Sequence, residues 1–195
     1  MKLYLFTDVE TTGLNFRKDG SVNTNPMLQI AYKLYDSTVE NELASGNFHV
    51  EYTDVQLQEF DKYMNDYVRE MHTSTGLLDK LYNHRGTTPL WKIDEVLSEQ
   101  LSEYKDERII IAGNNVHFDF EVVRRHLPKT SQHLNYSVLD VSVIRHAFET
   151  IGSDFGKRVK ESKLSNHDAL VDIDECVKEF KVYQEVLRQG VSHVG

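Results

Sequence analysis

Short apolar bursts ending at charged or turn-forming residues alternate along this chain with longer stretches of helical spacing. Residues 3–8 (LYLFTD) are the first burst and predict a central strand that delivers Asp8 at its C-terminal end, with Thr11, Thr12, Gly13 and Leu14 turning after it. Residues 15–26 are polar and predict a loop. Residues 28–35 and 44–52 predict an antiparallel pair, split by the polar segment 36–42. Between 54 and 84, Leu57, Phe60, Met64, Tyr67 and Met71 recur at helical spacing, with a break at 73–76. Pro89 suits the first turn of a helix that Leu90, Ile93, Leu97 and Leu101 continue. Ile109, Ile110, Ile111 and Ala112 predict a fourth strand ending at Gly113. A helix follows over 118–127, closed by Pro128. Val138 and Leu139 predict a short fifth strand, 142–150 a helix, 152–165 a polar, basic loop, and 169–187 the last long helix.

Three strands, helices, then strand, helix, strand, helix imply an α/β fold: a mixed five-stranded sheet with helices on both faces. A length of 195 residues suits one domain spanning 1–195. The single cysteine, Cys176, excludes an internal disulfide and, with no signal-like or membrane-spanning apolar run, makes the cytoplasm the expected location. The balance of 22 basic and 31 acidic residues, net −9, argues against nonspecific duplex binding. It suits an enzyme whose carboxylates gather divalent cations.

The acidic residues then narrow the chemistry. Asp8 and Glu10 are two apart on a predicted strand, so both point to one face and can reach one ion. Paired hard oxygens are what Mg²⁺ or Mn²⁺ prefers. Asp119 stands at the start of a predicted helix, and His167 and Asp172 flank the start of the last one. Each part alone has a plain structural reading: a solvated strand edge, a helix cap, a loop histidine. Four carboxylates and a histidine at strand ends of one α/β sheet fit a two-metal phosphodiester hydrolase.

These segments, DVETTGL (8–14), NNVHFD (114–119) and HDALVD (167–172), resemble the DEDD exonucleases of the histidine-containing branch, in the ribonuclease H-like superfamily. MNDYVREMHTSTGLL (64–78) and the stretch from AGNN (112–115) through NYSVLDVS (135–142) look most like the oligoribonucleases of that branch. DVETTGL and HDALVD are equally similar to the proofreading subunit of bacterial DNA polymerase. The resemblance implies a 3′→5′ exonuclease with two divalent cations, Mg²⁺ or Mn²⁺. Asp8, Glu10 and Asp172 would hold the first, Asp8 and Asp119 the second, and His167 would take the proton of the attacking water. It also implies that Thr11 and Thr12 receive the terminal 3′-OH, that Leu14 wedges against the terminal base, and that Tyr67 and His72 line the next base's site. Asn115 and Tyr136 complete the substrate site, and the tyrosine implies a homodimer in which it reaches the neighbour's site. The expected substrate is a short or single-stranded oligonucleotide, RNA before DNA.

Three positions depart from the pattern. Tyr67 stands where the family has Trp, Asn115 where it has Ser, and Ser137 where it has Arg. Losing that Arg removes a bidentate phosphate clamp. The expectation is that five-residue oligonucleotides are cut at least as fast as dinucleotides, with Lys157, Arg158, Lys160 or Lys163 holding the longer backbone. The rival readings are a DNA proofreading exonuclease beside a polymerase and a nonhydrolysing nucleic-acid-binding module.

Overall fold

A computed structural model describes residues 1–13, 25–62, 64–161 and 168–191. The chain opens with a meander of β1 (Lys2–Thr11), β2 (Met27–Tyr35) and β3 (Glu42–Val50), followed by α1 (Asp54–Asp61), α2 (Asp66–Ser74) and α3 (Leu77–Tyr82). Next come β4 (Thr87–Thr88), α4 (Leu90–Ser102), β5 (Arg108–Gly113), α5 (His117–His126) and α6 (Pro128–Ser131). The chain finishes with β6 (Leu134–Asp140), α7 (Val141–Thr150), α8 (Phe155–Glu161) and α9 (Ala169–Val191). The sheet order is β4-β3-β2-β1-β5-β6. β1 pairs antiparallel with β2 and parallel with β5, so it is central and reads as a near-continuous apolar run.

Both faces are covered. On one, Leu3, Leu5, Ile30, Tyr32 and Leu34 pack with Ile93, Leu97 and Leu101 of α4 and Val122 of α5. On the other, Phe6, Ala31 and Tyr35 meet Val141 of α7 and Ile173, Cys176, Val177 and Phe180 of α9. Cys176 is therefore a buried core residue. Among the described residues, no helix is long and apolar enough to cross a membrane.

The expected architecture holds in class, with a sheet of six strands in place of five. The added strand, β4, is two residues long and pairs parallel with His49 and Val50. Two residues carry no periodicity, so only the fold reveals it. β6 runs for seven residues because its backbone pairs along β5 whatever its side chains. The predicted loop after residue 152 contains α8, stabilised when Phe155 packs edge-on to Phe148 at 5.1 Å between ring centroids. In α8, Lys157 pairs with Glu161 and Arg158 with Asp154, at 3.7 and 3.2 Å. Both cations are thus engaged by their own helix instead of standing free in a basic loop. The side chains of Lys160 and Lys163 lie outside the described residues.

One glycine decides the packing of β3 on β2. A Cβ at Gly46 would lie 2.7 Å from the Tyr32 ring. That ring is fully buried and its hydroxyl donates to Gln100 Oε1 at 2.6 Å. Gly46→Ala is expected to cost about 1–3 kcal/mol, the usual range for overpacking. Chemical denaturation measures it, and an unchanged midpoint would show that the Tyr32 ring shifts freely.

Candidate active site

β1 carries Asp8 and Glu10 on one face, opposite Ala31 and Gln29 of β2. That face receives the start of α9. Asp168 caps this helix, its carboxylate accepting from the N–H groups of Leu170 and Val171 at 3.1 and 3.3 Å. Asp172 lies one turn inside, its N–H donating to the Asp168 carbonyl at 2.8 Å. Asp119 arrives from α5, and its Oδ1 accepts from the Val9 N–H at 2.9 Å. It therefore does not cap its own helix, whose preceding residue Val116 makes no side-chain cap. The asparate instead ties α5 to the strand between Asp8 and Glu10.

The electrostatics follow from this crowding. Burial, then the charges of Asp172 and Asp168, push the Asp8 carboxyl up to about 7. Burial, then Asp8, Asp172 and Asp168, push Glu10 up to about 8. Burial and the Asp8 charge also raise Asp119 well above the usual carboxylate range. Oδ2 of Asp8 is buried without a hydrogen-bond partner. Among the described residues, no three His, Cys, Asp or Glu side chains form a finished cation cage. Hard oxygens, one of them orphaned and buried, in mutually raised carboxyls are nevertheless a donor set that suits a divalent cation.

The remaining expected residues divide. Thr11 and Thr12 are buried, and their backbone is engaged: His72 Nε2 lies 2.8 Å from the Thr11 carbonyl and the Thr12 N–H reaches the Pro26 carbonyl at 3.4 Å. Gly13 follows at φ +137°, a conformation a side chain would strain. His72 is 1% exposed, with Nδ1 3.7 Å from Glu10 Oε2. It supports the end of β1 from within the core, directly beside Glu10. Tyr67, on the same helix, is 68% exposed. Asn115 sits at φ +52°, its N–H donating to Asp140 and its Oδ1 accepting from Ser142, which joins the turns after β5 and β6. Tyr136 is 86% exposed on the edge strand β6, away from this chain's carboxylates. Leu14 and His167 lie outside the described residues.

Two features escaped the sequence reading. Asp168 joins the acidic group, and its place just before an apolar helix was a usable cap signal. Glu179, buried in α9, binds Arg145, Tyr183 and Asn114 at 3.0, 2.8 and 3.3 Å. It fixes the turn that leads to Asp119, and no local pattern signals it.

The exonuclease family model matches residues 5–180, so the stretch from β1 through most of α9 conforms to one family. The chain belongs to the exonuclease family. Membership makes it a 3′→5′ exonuclease, a phosphodiester hydrolase. Among curated relatives, it is 30% identical to an oligoribonuclease of Cutibacterium acnes over 191 residues, covering 95% of this chain and 86% of that protein. It is 30% identical to the mitochondrial oligoribonuclease of Mus musculus, covering 92% of this chain and 71% of the relative. Among solved structures, E. coli exonuclease I in complex with a dT13 oligonucleotide matches with a TM-score of 0.63 at 19% identity. An exonuclease I from Methylocaldum szegediense matches with a TM-score of 0.63 at 16% identity. These cover 99% and 95% of this chain but only 43% and 41% of the exonuclease I chains, and at such identities they speak for the fold.

Proposed function

We propose that this exonuclease, as one domain over 1–195, removes nucleotides from the 3′ end of short or single-stranded oligonucleotides, RNA before DNA, and releases nucleoside 5′-monophosphates. The observation that carries the reading is the group of mutually raised carboxyls at the end of β1, with a buried, unpartnered oxygen on Asp8. Asp8, Glu10, Asp119 and Asp172 are the residues that would hold two divalent cations, Mg²⁺ or Mn²⁺. Bound there, such ions supply an activated water and neutralise the charge on the leaving 3′ oxygen. Asp119 fixes α5 against Val9, and Asp168 holds the first turn of α9, so that Asp172 faces β1. His167, immediately before Asp168, takes the proton from the attacking water, the general-base role to which a neutral imidazole is suited. Tyr67 offers the exposed ring for a base near the scissile bond, and Tyr136 on the open edge of β6 offers one to a second copy.

The test is shortening of a pentaribonucleotide by chelator-treated protein with and without Mn²⁺, beside the DNA pentamer. Labels at opposite ends report direction. The expected result is Mn²⁺-dependent laddering from the 3′ end, faster on RNA. Binding without cleavage would support a nonhydrolysing module instead, and faster DNA cleavage a proofreading role.

A further inference from the structure

The helix that brings Asp119 to the site does not fix its own start. α5 follows Val116 and has no side-chain cap, so its first turn is placed by whatever holds residues 113–116. Gly113 brings the end of β5 so close to β1 that a Cβ would lie 3.2 Å from the Thr7 carbonyl oxygen. Asn115, at φ +52°, donates its N–H to Asp140 Oδ1 at 3.2 Å. Asn114 reaches across to α9, its Nδ2 donating to Glu179 Oε2 at 3.3 Å.

Glu179 is a fixed anchor. Its side chain is buried, and its Oε1 accepts from Arg145 Nη1 of α7 at 3.0 Å and from the Tyr183 hydroxyl at 2.8 Å. α8 closes over the arginine so tightly that a Cβ at Gly156 would lie 2.9 Å from Arg145 Cγ. A carboxylate only accepts, so Asn114 turns its amide nitrogen toward Glu179 and leaves its Oδ1 buried without a hydrogen-bond partner. The orientation of Asn114 is thus set by the anchor at the expense of its own carbonyl. Only the turn and the first helical residues separate Asn114 from Asp119, and they are held tightly. The Phe118 N–H returns to the Asn115 carbonyl at 3.2 Å and the Phe120 N–H to the Val116 carbonyl at 2.9 Å. A shift of the turn therefore carries over to Asp119, whose Oδ1 has to meet the Val9 N–H at 2.9 Å.

We propose that Asn114, anchored on the buried Glu179–Arg145 pair, is the positioning residue of Asp119 and sets where that carboxylate stands at the end of β1. The inference rests on the exonucleolytic reading above for its consequence in catalysis. Asp119 enters the site from α5 on one face of the sheet, whereas the anchor is built from α7 and α9 on the other. Asn114 is the link between the two layers. A carboxylate that would hold a cation loses affinity when its support slackens, typically by about ten- to a hundredfold.

The experiment uses the full chain and two readouts, the first of which needs no metal. In chelator, the Val9 amide of Asn114→Ala should exchange with solvent about tenfold or more faster than in the wild type, measured against the Leu5 amide deeper in the same strand. The second readout is the Mn²⁺ concentration that gives half-maximal cleavage of a pentaribonucleotide. It should rise about tenfold or more in Asn114→Ala, with KM for the strand unchanged. Arg145→Met combined with Glu179→Leu removes the anchor without leaving a buried charge unpaired, and should match Asn114→Ala in both readouts. This double variant also answers the question should alanine at position 114 prevent folding. Gly46→Ala, which loosens β3 on β2 far from this turn, should lower the melting temperature and leave both readouts as in the wild type. Wild-type exchange at Val9 in Asn114→Ala and the double variant overturns the assignment, as does an equal loss in Gly46→Ala. An unchanged Mn²⁺ requirement beside a loosened Val9 amide also overturns it, because the contact would then serve stability alone. A wild type that does not cleave the pentamer overturns the exonuclease reading itself, whatever the Val9 amide shows.

Discussion

Asp8→Ala is expected to lower kcat/KM by more than about a hundredfold, ~3 kcal/mol of barrier, while leaving the metal-free protein as stable as the wild type or more so. Both halves come from the same geometry. Asp8 is the most central of the carboxylates, with Oδ2 buried and unpartnered and the charges of Asp172 and Asp168 against it. Without a cation these groups repel once they ionise, so deleting one relieves the fold above about pH 7; with a cation they would become its ligands, so deleting one would remove the chemistry. Asp172→Ala should behave alike. Asp119 differs, because its Oδ1 satisfies the buried Val9 N–H. Asp119→Ala therefore carries a stability cost of about 1–3 kcal/mol for an unpaired group, which Asp119→Asn avoids by keeping an acceptor. Steady-state kinetics paired with melting curves in chelator and in Mn²⁺ provide the check. An Asp8→Ala enzyme retaining more than about a tenth of wild-type activity has lost too little, under ~1.4 kcal/mol, for a metal ligand.

Melting of the chelator-treated protein should depend steeply on pH. Asp8 and Glu10 have ordinary values of 3.8 and 4.5 and folded values of about 7 and about 8. The folded state therefore holds protons that the unfolded chain releases. The stability this contributes is complete below about pH 4 and is lost as pH rises through 7 to 8. With Asp8, Glu10 and Asp119 all raised, several groups are protonated only in the folded state, so stability should fall steeply between pH 5 and 7. The melting temperature in chelator should fall from pH 5 to pH 8.5, and saturating Mn²⁺ should flatten or reverse that fall by replacing the protons. Asp8→Asn should make the slope shallower, because it removes one titrating group and its charge on Glu10 and Asp119. A metal-free melting temperature that stays level or climbs across this range would contradict the raised carboxyls.

The sequence alone determined the elements whose pattern is local. β1 reads as a central strand because it is buried between two neighbours, and the two-residue spacing of Asp8 and Glu10 puts both on one face. The α/β order, the end of β5 at Gly113, the stop of α5 ahead of Pro128, and the three acidic motifs were legible for the same reason. Tertiary structure decided whatever depends on a partner distant in sequence. Asp119 looks like a helix cap until its contact with Val9, 110 residues earlier, is known. The burial of His72 against the Thr11 carbonyl, 61 residues earlier, is likewise set by packing. β4 exists only because Thr87 and Thr88 meet the end of β3, and α8 holds because Phe155 finds Phe148 and Tyr183. Local periodicity encodes which face a side chain takes, whereas charge, burial and reach at a site are set by neighbours that only the folded chain supplies.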